Sequence, residues 1–218
     1  MADNDQNALP APPEPEILFH INPNPEIPSL PSLTESTRIN IRYPLIEPYA
    51  YAHIYWDRGN NELVYQVEEP PLNEQEQALL TTIENGIFEL LNISFVNVND
   101  TNTIIAYLEK NMKVLLAELG IKITEEIFLK FMYYIYRDFV GLNNIEPVMR
   151  DYFIEDIECN GANTPLYIVH RKYRNIRTNV IFNDTEKLSS FVEKLAQKCG
   201  KYVSYANPLL DGSLPDGS

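Results

Sequence analysis

The spacing of apolar residues changes along the chain and predicts strands first and helices afterwards. Residues 49–56 and 63–67 are rich in aromatic and β-branched side chains, and a cluster of turn residues separates them. This pattern is typical of a β-hairpin. Three stretches with apolar residues at helical spacing follow, at about 73–91, 101–119 and 124–141. Their short links predict a compact three-helix bundle.

Polar residues at the predicted helix starts are typical of N-caps, which accept hydrogen bonds from free backbone amides. Asn73 and Glu76 have the spacing of a capping box, and Thr124 precedes the third helical stretch. Asn183 and Glu186 repeat the box before a fourth helix near the end of the chain. Strands at 153–158, 166–169 and 177–182 come before that helix, which together indicate a separate α/β unit.

We therefore predict an α+β fold in four parts. Residues 1–37 form a disordered, acidic and proline-rich tail. Residues 38–143 hold the β-hairpin and the three-helix bundle. Residues 144–205 form a small α/β, PAS-like subdomain, and residues 206–218 form a linker.

The predicted tail contains eight of the 16 prolines, which prevent a helix or a sheet interior from forming across it. One apolar island interrupts it, at Ile17, Leu18, Phe19 and Ile21. Such an island is a candidate for docking onto a partner. The alternative is that it packs back onto its own domain or has no role.

The net charge of −14 lies entirely in the first half of the chain. Residues 1–109 contain 17 acidic and three basic side chains, whereas residues 110–218 are balanced. Phosphate repulsion makes nucleic acid an unfavourable partner for the first half. A basic protein partner fits the charge, and the alternative is that acidity only keeps the protein soluble.

The common catalytic motifs are absent from the sequence. A phosphate-binding loop needs Gly-Lys followed by Ser or Thr, whereas Gly200-Lys201 is followed by Tyr202. The three histidines and two cysteines have no metal-ligand spacing. We expect Cys159 and Cys199 to be free thiols, although a disulfide stays open. A hydrolase built on the acidic residues at 155–158 has little support, because neighbouring strand side chains face opposite sides.

Four fixed positive charges lie within residues 171–177, between two predicted strands. Arg171, Arg174 and Arg177 are the candidates for contacting a phosphate or carboxylate on a neighbouring domain. The alternative is an ordinary solvated loop. The polar, acidic N-terminus lacks the features of a secretory signal, and no apolar run of 18 residues predicts a membrane span.

An ordered series of segments over residues 40–218 resembles archaeal type II/IV secretion ATPases of the GspE-like superfamily, which include the archaellum motor ATPase and type IV pilus assembly ATPases. The segments are YPLIEPYAY at 43–51, YQVEEPPL at 65–72, RDFVG at 137–141, IEPVMRD at 145–151, IEDIECNG at 154–161, YIVHRKY at 167–173, RTNVIF at 177–182, ANPLLD at 206–211 and LPDGS at 214–218. The proline-rich tail favours the archaellum member.

The resemblance implies an N-terminal domain of a cytoplasmic homo-hexamer, which precedes a RecA-like motor domain. In such proteins ATP and Mg²⁺ bind between the two domains, and arginines of the N-terminal domain can contact the phosphates. The implied partners are the motor domain, neighbouring subunits, a polytopic membrane platform protein at the inner face of the cell membrane, and cytoplasmic accessory proteins. Nucleic acid is not among them.

Leu-Pro-Asp-Gly-Ser normally leads into the motor domain in this family, and here the sequence ends at Ser218. We therefore expect no catalytic residue and no bound cofactor on this part alone. The family often has glycine after the loop tyrosine, whereas this chain has Arg174. Arg174 is accordingly the least secure of the three arginine assignments.

Overall fold

The computed structural model describes residues 17–22, 25–90, 101–204, 208–215 and 217. Its strands are β1 (Asn40–Ile46), β2 (Ala50–Asp57), β3 (Glu62–Glu68), β4 (Ile154–Glu158), β5 (Pro165–His170) and β6 (Arg174–Ile181). Its helices are α1 (Glu74–Leu90), α2 (Thr101–Glu118), α3 (Glu125–Ile135), α4 (Glu146–Met149) and α5 (Thr185–Lys198). A π-helical turn, Tyr136–Val140, extends α3, and short 3-10 helices span Leu33–Arg38 and Asn143–Ile145. The protein is thus a mixed α+β structure.

The six described strands form one sheet in the order β1-β2-β3-β6-β5-β4. The hairpin of β2 and β3 is antiparallel, as the sequence predicts. β3 then pairs in parallel with β6 through Val64–Arg177 and Tyr65–Thr178. Strands from the two predicted units, 38–143 and 144–205, therefore belong to a single sheet, a relation that the local sequence pattern did not indicate.

One face of the sheet carries the core. Ile54, Tyr65 and Ile168 are fully buried there, and the helices pack on this side. The strand pairings place Tyr51, His53 and Gln66 on the opposite face, where they are partly exposed. We call this second side the outer face.

Capping residues define the helix starts. Asn73 and Glu76 make the predicted reciprocal capping box, with both hydrogen bonds at 2.9 Å. The hydroxyl of Thr124 accepts from the amide of Ile127, as predicted. The prediction of Asn183 as the cap of α5 is wrong, because Asp184 is the N-cap, with an extended backbone and a carboxylate that accepts from the amide of Glu186 at 2.8 Å.

The prediction of a disordered tail through residue 37 is wrong for residues 17–22 and 25–37. Phe19 is only 1% exposed and Leu30 only 7% exposed, and a 3-10 helix leads into β1. Prolines prevent regular hydrogen-bonding ladders but not the burial of an irregular extended segment. The part of the predicted tail before residue 17 lies outside the described residues.

The described part of the predicted linker, 208–215 and 217, leaves the end of α5 and returns to the fold. Leu214 packs against the core, and the ammonium of Lys201 donates a hydrogen bond to the carbonyl of Asp211. Residues 206 and 207 fall outside the description. Among the helices that the structure describes, none is long and apolar enough to cross a membrane.

Candidate functional site

The arginine-bearing turn is built on a buried histidine. His170 ends β5, and its Nδ1 accepts from the backbone amides of Lys172 and Tyr173 at 3.1 and 3.2 Å. Its ring stacks between Phe153 and Tyr173, with centroid distances of 5.5 and 4.8 Å. Burial lowers the pKa of His170 to about 4, so the imidazole is neutral at pH 7. The imidazole therefore fixes the backbone of the turn from inside.

Residues of the predicted tail hold the same turn from outside. The hydroxyl of Tyr173 donates to the carbonyl of Pro31 at 2.9 Å. The ammonium of Lys172 donates to the carbonyl of Leu30. The turn is thus held between the sheet and the segment that precedes β1, which gives its arginines a fixed base.

The three candidate arginines have different surroundings. Arg171 lies in the turn, 3.7 Å from Glu155, with its guanidinium 4.7 Å from the centre of the Tyr152 ring. Arg177 lies three residues into β6 and donates to Glu62 at 2.8 Å. The sequence predicted that this strand begins at Arg177, whereas β6 begins at Arg174, because Arg174 pairs with His170 across the hairpin.

Arg174 is exposed and has a φ of 66°. Glycine adopts this left-handed backbone conformation readily, whereas a side chain with a β-carbon is strained there. Within the described part of the chain, no hydrogen bond or ion pair involves the Arg174 side chain. Arg171 and Arg174 thus lie at the tip of the hairpin, and Arg177 lies on the outer face.

Polar side chains on the outer face pair with one another. Arg42 donates to Glu68 at 2.6 Å, and its guanidinium lies 3.7 Å from the centre of the Tyr51 ring. His53 bridges Glu68 and Asn40 at 3.0 and 2.7 Å. The hydrogen bond from Arg42 lowers the pKa of Glu68 below its usual value. The charges of this region are therefore balanced locally, and the tyrosine rings between them are partly open to solvent.

The apolar island packs onto its own fold, which is one of the alternatives that the sequence left open. The ring of Phe19 stacks on Tyr49 at 5.0 Å and lies 6.0 Å from Tyr136. Ile17 and Ile21 are partly buried against the core, and Leu18 is 40% exposed. Of the four docking candidates, Leu18 has the most exposed side chain.

A buried carboxylate holds the backbone of this island. Glu109 of α2 is 3% exposed and accepts from the amides of Leu18 and Phe19 at 3.0 and 3.2 Å. Lys113, one helical turn further along, donates to the same carboxylate at 2.6 Å. The island thus contributes both apolar burial and charge-assisted hydrogen bonds to the helical bundle.

Sequence reasoning missed a polar cluster around Arg137, which is only 9% exposed. Its guanidinium makes two bonds to Asp138, at 2.7 and 3.0 Å, and one to Glu69 at 2.8 Å. The hydroxyl of Tyr133 donates to the same Glu69 oxygen at 2.7 Å. The RDFVG and YQVEEPPL segments contain the charged partners, but nothing in their local pattern indicated that they meet.

Helices α1 and α5 also meet this cluster. Burial, followed by the negative charge of Asp138, raises the pKa of Glu84 on α1 to about 7. Lys194 of α5 donates to the carbonyl of Asp138 and to the side chain of Asn143, both at 2.7 Å. Burial lowers the pKa of Lys194 to about 8. The π-helical turn thus connects the helical bundle to α5 through groups that titrate near neutrality.

A second buried carboxylate, Asp151, joins the sheet to α4. It accepts from the hydroxyls of Tyr43 and Tyr65, each at 2.7 Å, and from the amide of Phe153 at 2.8 Å. Burial raises the pKa of Asp151 above its usual value although these hydrogen bonds oppose the shift. Several residues that carry the resemblance therefore hold the fold together.

The described residues contain no group of three or more His, Cys, Asp or Glu side chains that could hold a metal ion. Cys159 and Cys199 are free thiols, as expected. Glu155, Asp156 and Glu158 are all exposed.

Comparison with known proteins finds relatives in Methanocaldococcus jannaschii, and no family model matches the chain. The chain is 34% identical to the uncharacterized protein MJ1288 over 165 residues, which are 76% of this chain and 65% of that protein. It is 41% identical to the uncharacterized protein MJ0900 over 102 residues, which are 47% of this chain and 18% of MJ0900. The chain thus spans just under two thirds of the first relative and less than a fifth of the second.

Proposed function

We propose that this chain is the N-terminal regulatory and assembly domain of a hexameric secretion-type ATPase that powers an archaellum or a type IV pilus. The observation that carries the proposal is the arginine-bearing hairpin. His170 and Tyr173 fix its turn, and Arg171 and Arg174 are exposed at its tip. A rigid hairpin with guanidinium groups at its end suits recognition of phosphate on a facing domain.

Two further observations support this proposal. The family-like segments occur in order along the chain, and several of their charged residues form buried contacts, among them Glu69, Arg137 and Asp151. In addition, the match to MJ0900 covers only 18% of that protein. A regulatory domain is expected to occur as one part of a longer protein, and this partial match fits that expectation.

In this proposal ATP and Mg²⁺ bind at a RecA-like motor domain, and the hairpin arginines complete the phosphate site from the other side. The strands and helix of residues 144–205 act as the PAS-like part that faces the nucleotide. Movement of this domain against the motor domain drives a polytopic membrane platform protein. Neighbouring subunits and cytoplasmic accessory proteins are the other partners, and the site of action is the cytoplasmic side of the membrane.

The reading frame after Ser218 gives the first test. Continuation into a glycine-rich phosphate-binding loop supports the proposal, and a stop codon argues for a different role. In the full-length protein, Arg171→Ala and Arg174→Ala remove one charged hydrogen bond each. A bond of this kind contributes roughly 1.5–3 kcal/mol, so we expect ATP affinity or turnover to fall by about tenfold or more.

Arg58→Ala is the matched control, because Arg58 is exposed in the turn of the other hairpin, between β2 and β3. It removes the same charge from a different exposed turn, and we expect it to leave ATP affinity unchanged. Equal ATP affinity and turnover in all three variants and the parent protein would exclude a role for the hairpin in nucleotide binding.

A second candidate function is an acidic adaptor that binds a basic protein. One feature favours it: helix α1 carries four acidic residues and no basic residue. Its test is binding of this chain to a basic polypeptide such as polylysine over a range of salt concentrations. Binding that a charge-neutralised α1 abolishes would support the adaptor, and binding that α1 does not affect would argue against it.

A further inference from the structure

The Arg171 side chain has two neighbours in the segment that leads into β4. Its guanidinium lies 4.7 Å from the centre of the Tyr152 ring, and its Nε lies 3.7 Å from an oxygen of Glu155. Tyr152 is 56% exposed, although a large aromatic ring contributes most to stability where it is buried. Packing in the core therefore does not account for the place of this ring beside an arginine.

Buried groups fix the backbone on both sides of Tyr152. The carboxylate of Asp151, the residue before it, accepts from the amide of Phe153, the residue after it, at 2.8 Å. The Phe153 ring stacks on the buried ring of His170 at 5.5 Å. The rings of Tyr152 and Phe153 meet edge to face at 5.4 Å. The exposed ring is thus attached to the core through its neighbours.

The backbone of Arg171 is attached to the same segment. Its amide donates to the carbonyl of Phe153 at 2.8 Å, which joins the hairpin turn to the chain before β4. Arg171 follows His170 directly, and Tyr152 precedes Phe153, so the stacked pair of Phe153 and His170 supports both sides of the contact. The distance between the guanidinium and the ring is therefore set by the folded backbone.

A ring contact of this kind leaves the guanidinium able to bind an anion. The ring attracts the positive charge through the electrons on its face, whereas a phosphate is bound by the N–H groups in the guanidinium plane. The distance of 3.7 Å from Nε to Glu155 is longer than a hydrogen bond, so the carboxylate leaves that N–H group free. Arg171 can thus contact the ring and a phosphate at the same time.

The ring also reduces the entropy that Arg171 loses when it binds. A long, exposed arginine side chain samples many rotamers, and a ligand that selects one of them must overcome that freedom. A guanidinium that is already restricted by a ring loses less. Arg174, the other exposed arginine at the tip of the hairpin, has no such ring contact among the described residues. Arg171 is therefore the better preorganised of the two.

We propose that Tyr152 is a positioning residue that holds the guanidinium of Arg171 in place for contact with a phosphate. This role rests on the proposed function, because the phosphate belongs to the nucleotide bound at the facing motor domain. Tyr152 acts through Arg171, and its aromatic face is the part that matters. Its hydroxyl and its apolar volume have no share in the role.

Nucleotide binding by two variants of the full-length protein tests this proposal. Tyr152→Leu removes the aromatic face and keeps an apolar side chain, whereas Tyr152→Phe keeps the ring. We expect Tyr152→Leu to weaken the binding of a fluorescent ATP analogue by about two- to fivefold, which is the effect of a cation–π contact at an exposed site. Tyr152→Phe should bind it as the parent protein does. Tyr202→Leu is the matched control, because Tyr202 is 86% exposed and lies outside the hairpin.

Combination with Arg171→Ala separates this proposal from the function on which it rests. In the Arg171→Ala protein, Tyr152→Leu should have no further effect, because the ring then has no guanidinium to position. Equal affinity in Arg171→Ala and the parent would overturn the proposed role of Arg171 and this proposal with it. A loss in Arg171→Ala without a loss in Tyr152→Leu would overturn this proposal alone. So would equal losses in Tyr152→Leu and Tyr152→Phe, or the same loss from Tyr152→Leu with and without Arg171.

NMR spectroscopy of this chain measures the contact itself, without nucleotide. Protons over the face of an aromatic ring are shifted to lower frequency, so we expect this shift for the side-chain signals of Arg171. It should persist in Tyr152→Phe and disappear in Tyr152→Leu. The signals of Arg58, which is exposed in the turn of the other hairpin, should not change in either variant. Arg171 signals at unshifted positions in the parent protein would show that the ring does not hold the guanidinium and would refute the proposal.

Discussion

The side-chain amide of Asn179 forms hydrogen bonds with both the backbone amide and the backbone carbonyl of Val67. The amide of Val67 donates to Oδ1 at 2.8 Å, and Nδ2 donates to the carbonyl of Val67 at 3.0 Å. The two residues lie just beyond the backbone pairing of β3 and β6, which consists of Val64–Arg177 and Tyr65–Thr178. A side chain thus extends the parallel junction that joins the two halves of the sheet.

Asn179→Ala should weaken this junction. It removes both hydrogen bonds from the backbone of Val67, and because Asn179 is exposed and the bonds are partly buried, each lost bond costs about 0.5–1.5 kcal/mol. We expect urea denaturation to show a loss within this range for each of the two bonds. Asn175→Ala, at an exposed position on the same strand and the same outer face, is the control and should change the free energy of unfolding by less than about 0.5 kcal/mol. Equal effects of the two substitutions would contradict the assignment.

Arg174→Gly should stabilise the protein. The φ of 66° strains any residue that has a β-carbon, by roughly 1–2 kcal/mol, and the greater freedom of glycine in the unfolded chain offsets part of this gain. We expect a net increase of up to about 1 kcal/mol in the free energy of unfolding. The matched control is Arg58→Gly, in a turn where φ is not positive, and it should destabilise the protein by about 0.4–1 kcal/mol.

Thermal denaturation of the two variants measures the difference. A decrease in stability for Arg174→Gly would mean that the guanidinium makes a contact that outweighs the backbone strain. The same substitution also bears on the proposed function, because it removes one of the exposed guanidinium groups at the tip of the hairpin. Stability and nucleotide binding can therefore be compared in one variant.

Local sequence patterns predicted those parts of the fold that depend on local chemistry. The capping box of Asn73 and Glu76 and the hairpin of β2 and β3 depend on residues that are close in the chain. The parallel junction depends on the contact between Val67 and Asn179, which are 112 residues apart. A local sequence pattern cannot predict a contact between residues so far apart in the chain. The capping error near α5 was a shift of one residue, since Asn183 and Asp184 are both good N-caps.

The candidate site was predicted less completely than the fold. The basic composition of 171–177 identified the arginines, but the sequence could not show that His170 supports their turn, because that role depends on burial between Phe153 and Tyr173. The proline content of the tail concealed the burial of Phe19 for a similar reason. The proline content of a segment predicts that it forms neither helix nor sheet. It does not predict whether one aromatic side chain, such as Phe19, is buried in the core.

Phe19→Ala should destabilise the whole protein. The ring is 1% exposed and stacks on Tyr49, and truncation of a buried phenylalanine costs about 3–5 kcal/mol. Leu18→Ala is the control, because the Leu18 side chain is 40% exposed and should contribute much less. Chemical denaturation measures the free energy of unfolding of both variants. A negligible effect of Phe19→Ala would show that the island does not belong to the core.

The pH dependence of stability should reveal the ionisation of Glu84. Its pKa is about 7 in the folded protein and about 4.5 in the unfolded chain, so the folded state binds more protons between these values. Protonation of Glu84 therefore stabilises the folded state fully below pH 4.5, and this stabilisation is lost as the pH rises through 7. Each unit of pKa difference corresponds to about 1.4 kcal/mol.

His170 acts in the opposite direction over part of this range. Its pKa falls from 6.5 in the unfolded chain to about 4 in the folded protein, so it contributes stability that is complete above pH 6.5 and is lost as the pH falls towards 4. The two effects partly cancel in the parent protein. The contribution of Glu84 must therefore be read as a difference between variants.

Glu84→Gln removes the titration of Glu84 and leaves His170 unchanged. Relative to the parent, the variant should gain stability steadily between about pH 4.5 and pH 7, by roughly 1 kcal/mol per pH unit, with no further change above pH 8. Glu89→Gln, at an exposed position on the same helix, is the control for the general effect of a Glu-to-Gln change on α1. Urea denaturation at pH 5, 6, 7 and 8 measures both differences. A Glu84→Gln difference that stays flat across this range would mean that Glu84 is ionised throughout, and that Asp138 and burial do not act on it as the structure indicates.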